Sequence, residues 1–401
     1  MKVAIIGLGR EGKSVLKFLK KTTEYKKAKV SILDQKDGPD YLKDLNSFDL
    51  IFRSPGVPYN LPEIQAAIAA GKKVSSATKL FFELCPAKII GVTGTKGKGT
   101  TSTLISEILK ASKKKVLLAG NIGLSPLEIL PKAKKGMWVV LELSSFQLQD
   151  LDKSPTVSVI TEIFPDHMDV HKDLQEYLDA KSNICRHQEA TGAVFYFSDN
   201  RPGAKIASFC PGKQFLVNAP NDLNKNKILA SAVAKYLGCP EATIRKVADN
   251  FKGLPHRLEL VSKKGMIRFY NDSASTNPNT TAAAVATLSA ETPVILIAGG
   301  KDKNLDYAPL VQELQRNQHR IDSVILFGEN KAKINSAIGS LRLPVEQVRD
   351  LKIALITAMK NAKEADSPIT ILFSPGAASF DMFLDYADRG EQFKKLARSL
   401  K

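Results

Sequence analysis

The chain has 401 residues, 43% of them hydrophobic and 25% charged, the composition of a soluble globular protein too long for one core of ordinary size. Its formal net charge of +17 comes from lysines spread over the whole length rather than gathered in one aromatic-interleaved block, so small polyanionic substrates are expected and a nucleic-acid or membrane partner is not. The cysteines Cys85, Cys185, Cys210 and Cys239 show no C-x-x-C spacing, which argues against a disulfide framework or a zinc site and for free thiols in a reducing, cytoplasmic compartment.

The opening apolar run is cut short by Arg10 and Glu11, so it reads as a strand over 2–6 rather than a signal peptide, and no later stretch is long enough to span a bilayer. That strand runs into Gly7-Leu-Gly-Arg-Glu-Gly12, then a helical stretch to about residue 20, then a strand over 30–33 ending at Asp34. This is a complete G-x-G-x-x-G in strand-turn-helix context with an acid about 20 residues on. Taken alone it fits NAD as well as another phosphate-and-sugar ligand. A further strand, 49–52, closes with Phe52-Arg-Ser-Pro-Gly-Val-Pro58 at the same sheet edge, and nothing between residues 12 and 85 offers hydride chemistry.

Next, the apolar run 88–92 feeds a loop reading Gly91-Val-Thr-Gly-Thr-Lys-Gly-Lys-Gly-Thr-Thr101. Small residues let backbone N–H groups converge on an anion, Lys98 brings a point charge to the β- and γ-phosphates, and a helix over 99–110 aims its positive end at the same place. The loop departs from G-x-x-x-x-G-K-[ST]: Val92 stands where the first glycine belongs, and Gly99 where a Mg²⁺-binding hydroxyl belongs. Strands over 115–118, 137–141 and 156–160 and a helix over 174–189 continue the alternation, which predicts a mostly parallel sheet with its strand C-termini gathered at one edge. Strands over 267–270, 294–298, 322–327 and 369–373, each followed by a helix-length pattern, form the last part. The fold class is therefore α/β, in three domains spanning 1–85, 86–254 and 255–401.

Chemistry-bearing residues sit at the predicted strand ends. Glu142 directly follows the apolar Trp138-Val-Val-Leu141, the place for a carboxylate that holds Mg²⁺; a helix cap or ion pair is the other reading. His167, beside Asp166 in Asp166-His-Met-Asp169, is a metal or substrate group or a structural histidine. Lys181, inside the 174–189 helix, reads from its residues alone as a solvated lysine.

The ordered set of Gly-Val-Thr-Gly-Thr-Lys-Gly-Lys, Gly120-Asn-Ile-Gly-Leu, Glu142-Leu-Ser-Ser-Phe-Gln-Leu, Asp166-His-Met-Asp, Pro255-His-Arg-Leu-Glu, Asn271-Asp-Ser and Ser374-Pro-Gly-Ala-Ala-Ser-Phe-Asp381 resembles the Mur ligases over nearly the whole chain. The run at Glu142 is most similar to that of the members that add D-glutamate to UDP-N-acetylmuramoyl-L-alanine. The resemblance implies a Rossmann-like first domain holding the UDP-sugar through Gly9, Arg10, Glu11, Gln35, Lys36 and Ser54, with Asn121 and His167 toward the muramoyl-alanine end. It implies ATP on a P-loop-type central domain through Gly94, Thr95, Lys96, Gly97, Lys98, Gly99, Thr100 and Thr101, with Asn221, Asn224, Arg257 and Asp272 toward ribose and adenine. Two Mg²⁺ ions are implied, one on Glu142, the other on His167 and Lys181, the latter matching the family's lysine carbamylated by CO₂. A Rossmann-like third domain would bind D-glutamate through Thr276, Lys303, Ser379, Phe380 and Tyr386. A monomeric, ATP-dependent amide ligase of cytoplasmic peptidoglycan precursor synthesis is the implied activity, with Lys98, Glu142, His167 and Lys181 as its catalytic group.

Three positions depart from the family pattern: Gly99 for a hydroxyl residue, Lys96 for asparagine, and Ala274 for a lysine that contacts D-glutamate. Thr100 is the candidate replacement hydroxyl. The Lys-Gly-Lys-Gly run is closer to folylpolyglutamate synthase, which lacks the Glu142 and Ser374 runs. A non-catalytic nucleotide-binding protein is opposed by the joint presence of Lys98, Glu142, His167 and Lys181, and an oxidoreductase by the missing hydride chemistry.

Overall fold

The computed structural model describes residues 1–121, 123–165, 170–219 and 225–400. The chain divides into two compact units, Met1–Phe251 and Lys252–Lys401.

The first unit contains two parallel sheets. Strands β1 (Lys2–Ile6), β2 (Lys29–Leu33), β3 (Leu50–Arg53) and β4 (Lys73–Ser75) lie in the order β2-β1-β3-β4. The central pair is buried on both faces, Val3, Ala4, Ile5 and Ile6 against Leu50, Ile51 and Phe52, which is why these runs are continuously apolar rather than alternating. Strands β5 (Lys88–Thr93), β6 (Val116–Gly120), β7 (Trp138–Glu142), β8 (Val157–Ile160), β9 (Ala193–Phe197) and β10 (Lys213–Val217) form the second sheet, ordered β10-β9-β8-β5-β7-β6. From β5 the chain builds β6 and β7 on one side and then β8 on the other. The loop after β5 therefore opens at a topological switch point, where ligands of open α/β sheets bind.

Apolar side chains on the two faces of β5 seed two cores. Helix Lys98–Ala111 lays Leu104, Ile105, Ile108 and Leu109 against Ile90, Val92, Val140 and Val157. On the other face Ile89, Val139 and Leu141 belong to a core continuous with Val3, Ile5, Val15 and Phe81, so the two sheets share packed interior. Each such side chain contributes roughly 1.5–3 kcal/mol on burial.

In the second unit β11 (Glu259–Lys264), β12 (Ile267–Asn271), β13 (Val294–Ala298), β14 (Ile321–Leu326), β15 (Val345–Gln347) and β16 (Ile369–Phe373) lie in the order β11-β12-β16-β13-β14-β15, with only the β11–β12 pair antiparallel. Gly265, at φ +58°, makes the tight turn of that hairpin.

Two local expectations need correction. The helix expected over 174–189 ends at Ser182, because Asn183 turns its amide onto the carbonyls of Leu148 and Gln149 while Ile184 and Cys185 drop into the core. Strands β4, β9, β10, β11 and β15 extend the sheets beyond the runs read from sequence, four of them at an edge, where polar residues dilute the apolar pattern. Among the described residues no helix is long and apolar enough to cross a membrane.

Candidate active site

The loop after β5 is held by its own backbone chemistry. Thr95 N–H donates to the Glu162 carbonyl at 2.7 Å, and Lys96 makes a bridge to the same residue, tying the loop to the end of β8. Gly97 caps the following helix at φ +93°, and a Cβ there would stand 2.2 Å from Asn226 Oδ1, so glycine is required on both backbone and steric grounds. Because the first turn of a helix leaves amides without intrahelical acceptors, Lys98, Gly99 and Thr100 present an anion cradle at the sheet edge. Thr101 faces inward instead: fully buried, it donates to Asn226 Oδ1 at 3.2 Å. Thr100 is half-buried on the same turn.

Lys98 and Lys181 converge on this loop. Lys98 Nζ donates to the carbonyls of Gly94 at 2.9 Å and Thr95 at 3.0 Å. Lys181, only 2% exposed and so not the solvated lysine its helix suggests, donates to the Gly94 carbonyl at 3.0 Å and lies 4.6 Å above the Tyr177 ring. Tyr177 in turn shares a 2.8 Å hydrogen bond with Thr95 Oγ1.

Glu142 ends β7 beside β5, at 2% exposure. One carboxylate oxygen accepts from Asn121 Nδ2 at 3.2 Å, while Oε2 is buried without a hydrogen-bond partner among the described residues. An ionised carboxylate oxygen in that state is costly unless something positive meets it, and the donor set suits a hard cation such as Mg²⁺. Among the described residues no group of three or more His, Cys, Asp or Glu gathers at one point. His167, Asn221 and Asn224 lie outside the described residues.

The glycine loop after β1 opens at the switch point of the first sheet, between β1 and β3. Gly12 sits so close to the Gly7 carbonyl that a Cβ would come within 2.1 Å, and Ser54 Oγ donates to that carbonyl at 2.6 Å, joining the two loops. Asp34 accepts from Leu8 N–H at 3.1 Å and Lys36 N–H at 3.3 Å, and these bonds hold its carboxyl below the usual range. Gln35 and Lys36 are exposed beside it, and Gly9 caps the helix that follows. Arg10 reaches across to the second sheet, donating to the carbonyls of Gly120, Asn121 and Gly123 at 2.9–3.1 Å. Glu11 turns inward instead, buried and accepting from Gln147 Nε2, and burial pushes its carboxyl up.

Sequence reading missed several residues at this edge. Ser145 Oγ bonds His171 Nε2 at 3.0 Å, His171 Nδ1 bonds Glu176 Oε1 at 3.3 Å, and Phe146 stacks on the His171 ring. Only the capping box of Ser144 and Gln147, visible as S-x-x-Q, hinted that a helix begins there.

In the second unit Asp272, Thr276, Lys303, Ser379 and Phe380 follow the adjacent strands β12, β13 and β16, so their loops gather at one edge. Lys303 Nζ lies 5.7 Å from the Phe380 ring centroid, Ser379 is buried, and Tyr386 opens the last helix, half-exposed. Asp272 is buried and spoken for: Leu258 N–H, Ser275 Oγ and Ser374 Oγ all donate to it, and desolvation pushes its carboxyl up to about 6. Arg257 precedes the left-handed Leu258 that this carboxyl holds in place.

A family model described as the Mur ligase middle domain matches residues 92–250, and one described as the Mur ligase glutamate ligase domain matches 256–375. A UDP-N-acetylmuramoylalanine–D-glutamate ligase of Acetivibrio thermocellus is 35% identical, covering 100% of this chain and 96% of that protein, and one of Symbiobacterium thermophilum is 36% identical, covering 90% and 87%. Among solved structures, the UDP-N-acetylmuramate-alanine ligase of Thermotoga maritima superposes over 100% of both chains with a TM-score of 0.57 at 16% identity. A bifunctional folylpolyglutamate synthase/dihydrofolate synthase of Yersinia pestis covers 80% of this chain and 93% of its own with a TM-score of 0.56 at 18% identity, a likeness of fold alone.

Proposed function

The chain belongs to the Mur ligase family, and from that premise we propose that it is an ATP-dependent ligase joining D-glutamate to the alanine carboxylate of UDP-N-acetylmuramoyl-L-alanine in peptidoglycan precursor synthesis. The observation that carries the reading is the edge of the second sheet, where the Gly94–Thr101 cradle, Lys98, Lys181 and the half-paired carboxylate of Glu142 lie on adjoining elements. Full-length similarity to ligases of that name supports it.

The chemistry follows from what the residues supply. A carboxylate resists nucleophiles because its charge repels them and oxide is a poor leaving group. One carboxylate oxygen of the alanine attacks the γ-phosphorus of ATP, the bond to ADP breaks, and a mixed anhydride forms. The D-glutamate amine then attacks the acyl carbon, a proton leaves the nitrogen, and inorganic phosphate departs with the former carboxylate oxygen. Lys98 and the first-turn amides stabilise charge on the phosphoryl oxygens, and because they are fixed before reaction they cost no reorganisation. Glu142, with Thr100 as a candidate hydroxyl, would hold a Mg²⁺, and Lys181 as its CO₂ adduct with His167 a second; such ions neutralise phosphoryl charge.

The first sheet is proposed to hold the uridine diphosphate at the Gly9, Arg10 and Ser54 loops beside Gln35 and Lys36, with Asn121 toward the alanine. The second unit is proposed to receive D-glutamate at Thr276, Lys303, Ser379, Phe380 and Tyr386, and Arg257 to face the nucleotide. Both nucleotide substrates are cytoplasmic metabolites, in keeping with a cytoplasmic enzyme. The test is phosphate release from ATP. Release requiring UDP-N-acetylmuramoyl-L-alanine, D-glutamate and Mg²⁺ together is expected; release with a folate in place of the sugar nucleotide, or none, would overturn the assignment.

A further inference from the structure

Outside the groups already assigned a role, the carboxylate of Glu176 receives an unusual concentration of donors. Its Oε1 accepts from Asn60 Nδ2 at 2.7 Å, Gln149 Nε2 at 2.8 Å and His171 Nδ1 at 3.3 Å, and its Oε2 accepts from Lys172 N–H at 2.9 Å. These partners come from three separate places in the fold. Asn60 follows β3 in the first sheet, in the loop that begins with Ser54. Gln149 lies just beyond the Ser145–Leu148 helix that follows Glu142, and His171 and Lys172 precede the helix Leu174–Ser182.

That last helix carries Tyr177 and Lys181. Tyr177 touches both the cradle, through Thr95 Oγ1, and the Lys181 ammonium, through its ring. His171 ties the arrangement further, because an ionised carboxylate only accepts, so Nδ1 carries the proton toward Glu176 and Nε2 faces Ser145 Oγ. The His171 ring also stacks on Phe146 and meets Tyr177 edge-on at 5.3 Å. A rotation of the Leu174–Ser182 helix would therefore break bonds to the first sheet, to the Glu142 segment and to the cradle at once.

We propose that Glu176 is a positioning residue that couples the first-sheet loop at Asn60 to the placement of Tyr177 and Lys181. Resting on the ligase reading above, the inference adds a physical link between sugar-nucleotide binding and the phosphoryl-transfer edge: ordering of the 54–60 loop by the sugar nucleotide fixes Asn60, Asn60 fixes Glu176, and Glu176 fixes the helix. Groups that orient the ligands of a metal site typically cost about 10- to 100-fold when removed, and a loss on that scale is expected for Glu176.

The experiment uses the full chain and the variants Asn60→Ala, Glu176→Gln, Glu176→Ala and the double variant Asn60→Ala/Glu176→Ala. Hydrogen exchange of the Leu174–Ser182 amides is followed with and without UDP-N-acetylmuramoyl-L-alanine alone, and kcat and KM are measured in the complete assay. In the parent protein the sugar nucleotide is expected to slow exchange in this helix; in Asn60→Ala that protection is lost although the ligand still binds. Glu176→Ala lowers kcat by about 10- to 100-fold, and adding Asn60→Ala lowers it no further, because Asn60 acts through Glu176. Additive losses, protection that persists in Asn60→Ala, or a kcat for Glu176→Gln and Asn60→Ala within twofold of the parent would overturn the proposal while leaving the ligase reading intact. No turnover by the parent with these substrates would overturn both.

Discussion

The side chains of Lys98 and Lys181 donate to one shared acceptor, the carbonyl oxygen of Gly94, at 2.9 Å and 3.0 Å. Both side chains thus lie against the cradle: a triphosphate bound there would meet them, and CO₂ capture by the Lys181 amine would convert one of them to an anion able to face a metal. Lys98→Met is expected to lower kcat by about 10²- to 10³-fold, the scale for removing one preorganised stabiliser. Lys181→Ala is expected to be inactive and to regain turnover with added formate or acetate, which restore a carboxylate. Rescue by methylamine instead would show that Lys181 acts as a cation.

Glu142 leaves Oε2 buried without a partner among the described residues while Asn121 engages the other oxygen. An acceptor held in that way is poised for a cation, so Glu142→Gln is expected to raise the Mg²⁺ concentration for half-maximal turnover at least about tenfold, with chelation abolishing activity in both proteins. Unchanged Mg²⁺ titrations would remove Glu142 from the metal site.

A second buried pair supports stability rather than chemistry. Arg53, with its side chain 1% exposed, donates to Asp150 Oδ1 at 3.3 Å and to the carbonyls of Val57 and Phe146, bridging the first sheet to the segment after Glu142. Arg53→Met strands the Asp150 charge, for an expected loss of about 3–5 kcal/mol, and Arg53→Met/Asp150→Leu recovers much of it because the uncompensated charge is gone. Urea unfolding of the three proteins measures this; a double variant no more stable than Arg53→Met would contradict it.

Asp272 predicts a pH dependence with a definite sign. Its carboxyl, at about 6 in the fold against 3.8 for the free group, is raised by burial, so the fold prefers the neutral acid. Stability is therefore lost as pH rises from about 3.8 through 6 and is level above that, by about 3 kcal/mol in all. A neutral carboxamide in place of the Asp272 carboxyl would keep the acceptor for Leu258 N–H and could donate to the two serine hydroxyls. Asp272→Asn is therefore expected to stabilise the second unit at pH 7–8, with the difference vanishing near pH 4. A stability difference that does not change with pH would contradict the assignment.

Much of this arrangement could be read from sequence where a local pattern coincides with a tertiary one. The run at 88–92 is apolar because β5 is central and covered on both faces, and its glycine-rich continuation marks the switch point. Lys181 was not readable in this way, since a lysine in a helix with acidic and polar neighbours has the pattern of a solvated face; only the motif resemblance singled it out, and its burial rests on contacts to Thr93 and Gly94 some 87 positions away. The Asn60–Glu176 bond spans 116 positions and joins two sheets, a relationship that neither periodicity nor spacing encodes. Glu11 illustrates the opposite difficulty: placed in a glycine loop it reads as ligand-facing, yet its side chain folds inward to Gln147.

The most direct test of the ligase mechanism labels both carboxylate oxygens of UDP-N-acetylmuramoyl-L-alanine with ¹⁸O and follows a turnover with ATP, Mg²⁺ and D-glutamate by mass spectrometry of both products. Attack of the carboxylate on ATP predicts that each inorganic phosphate released carries one ¹⁸O and that the new amide carbonyl keeps the other. Phosphate free of label, released at the rate of amide formation, would contradict carboxylate phosphorylation and with it the role assigned to the cradle, Lys98 and Glu142.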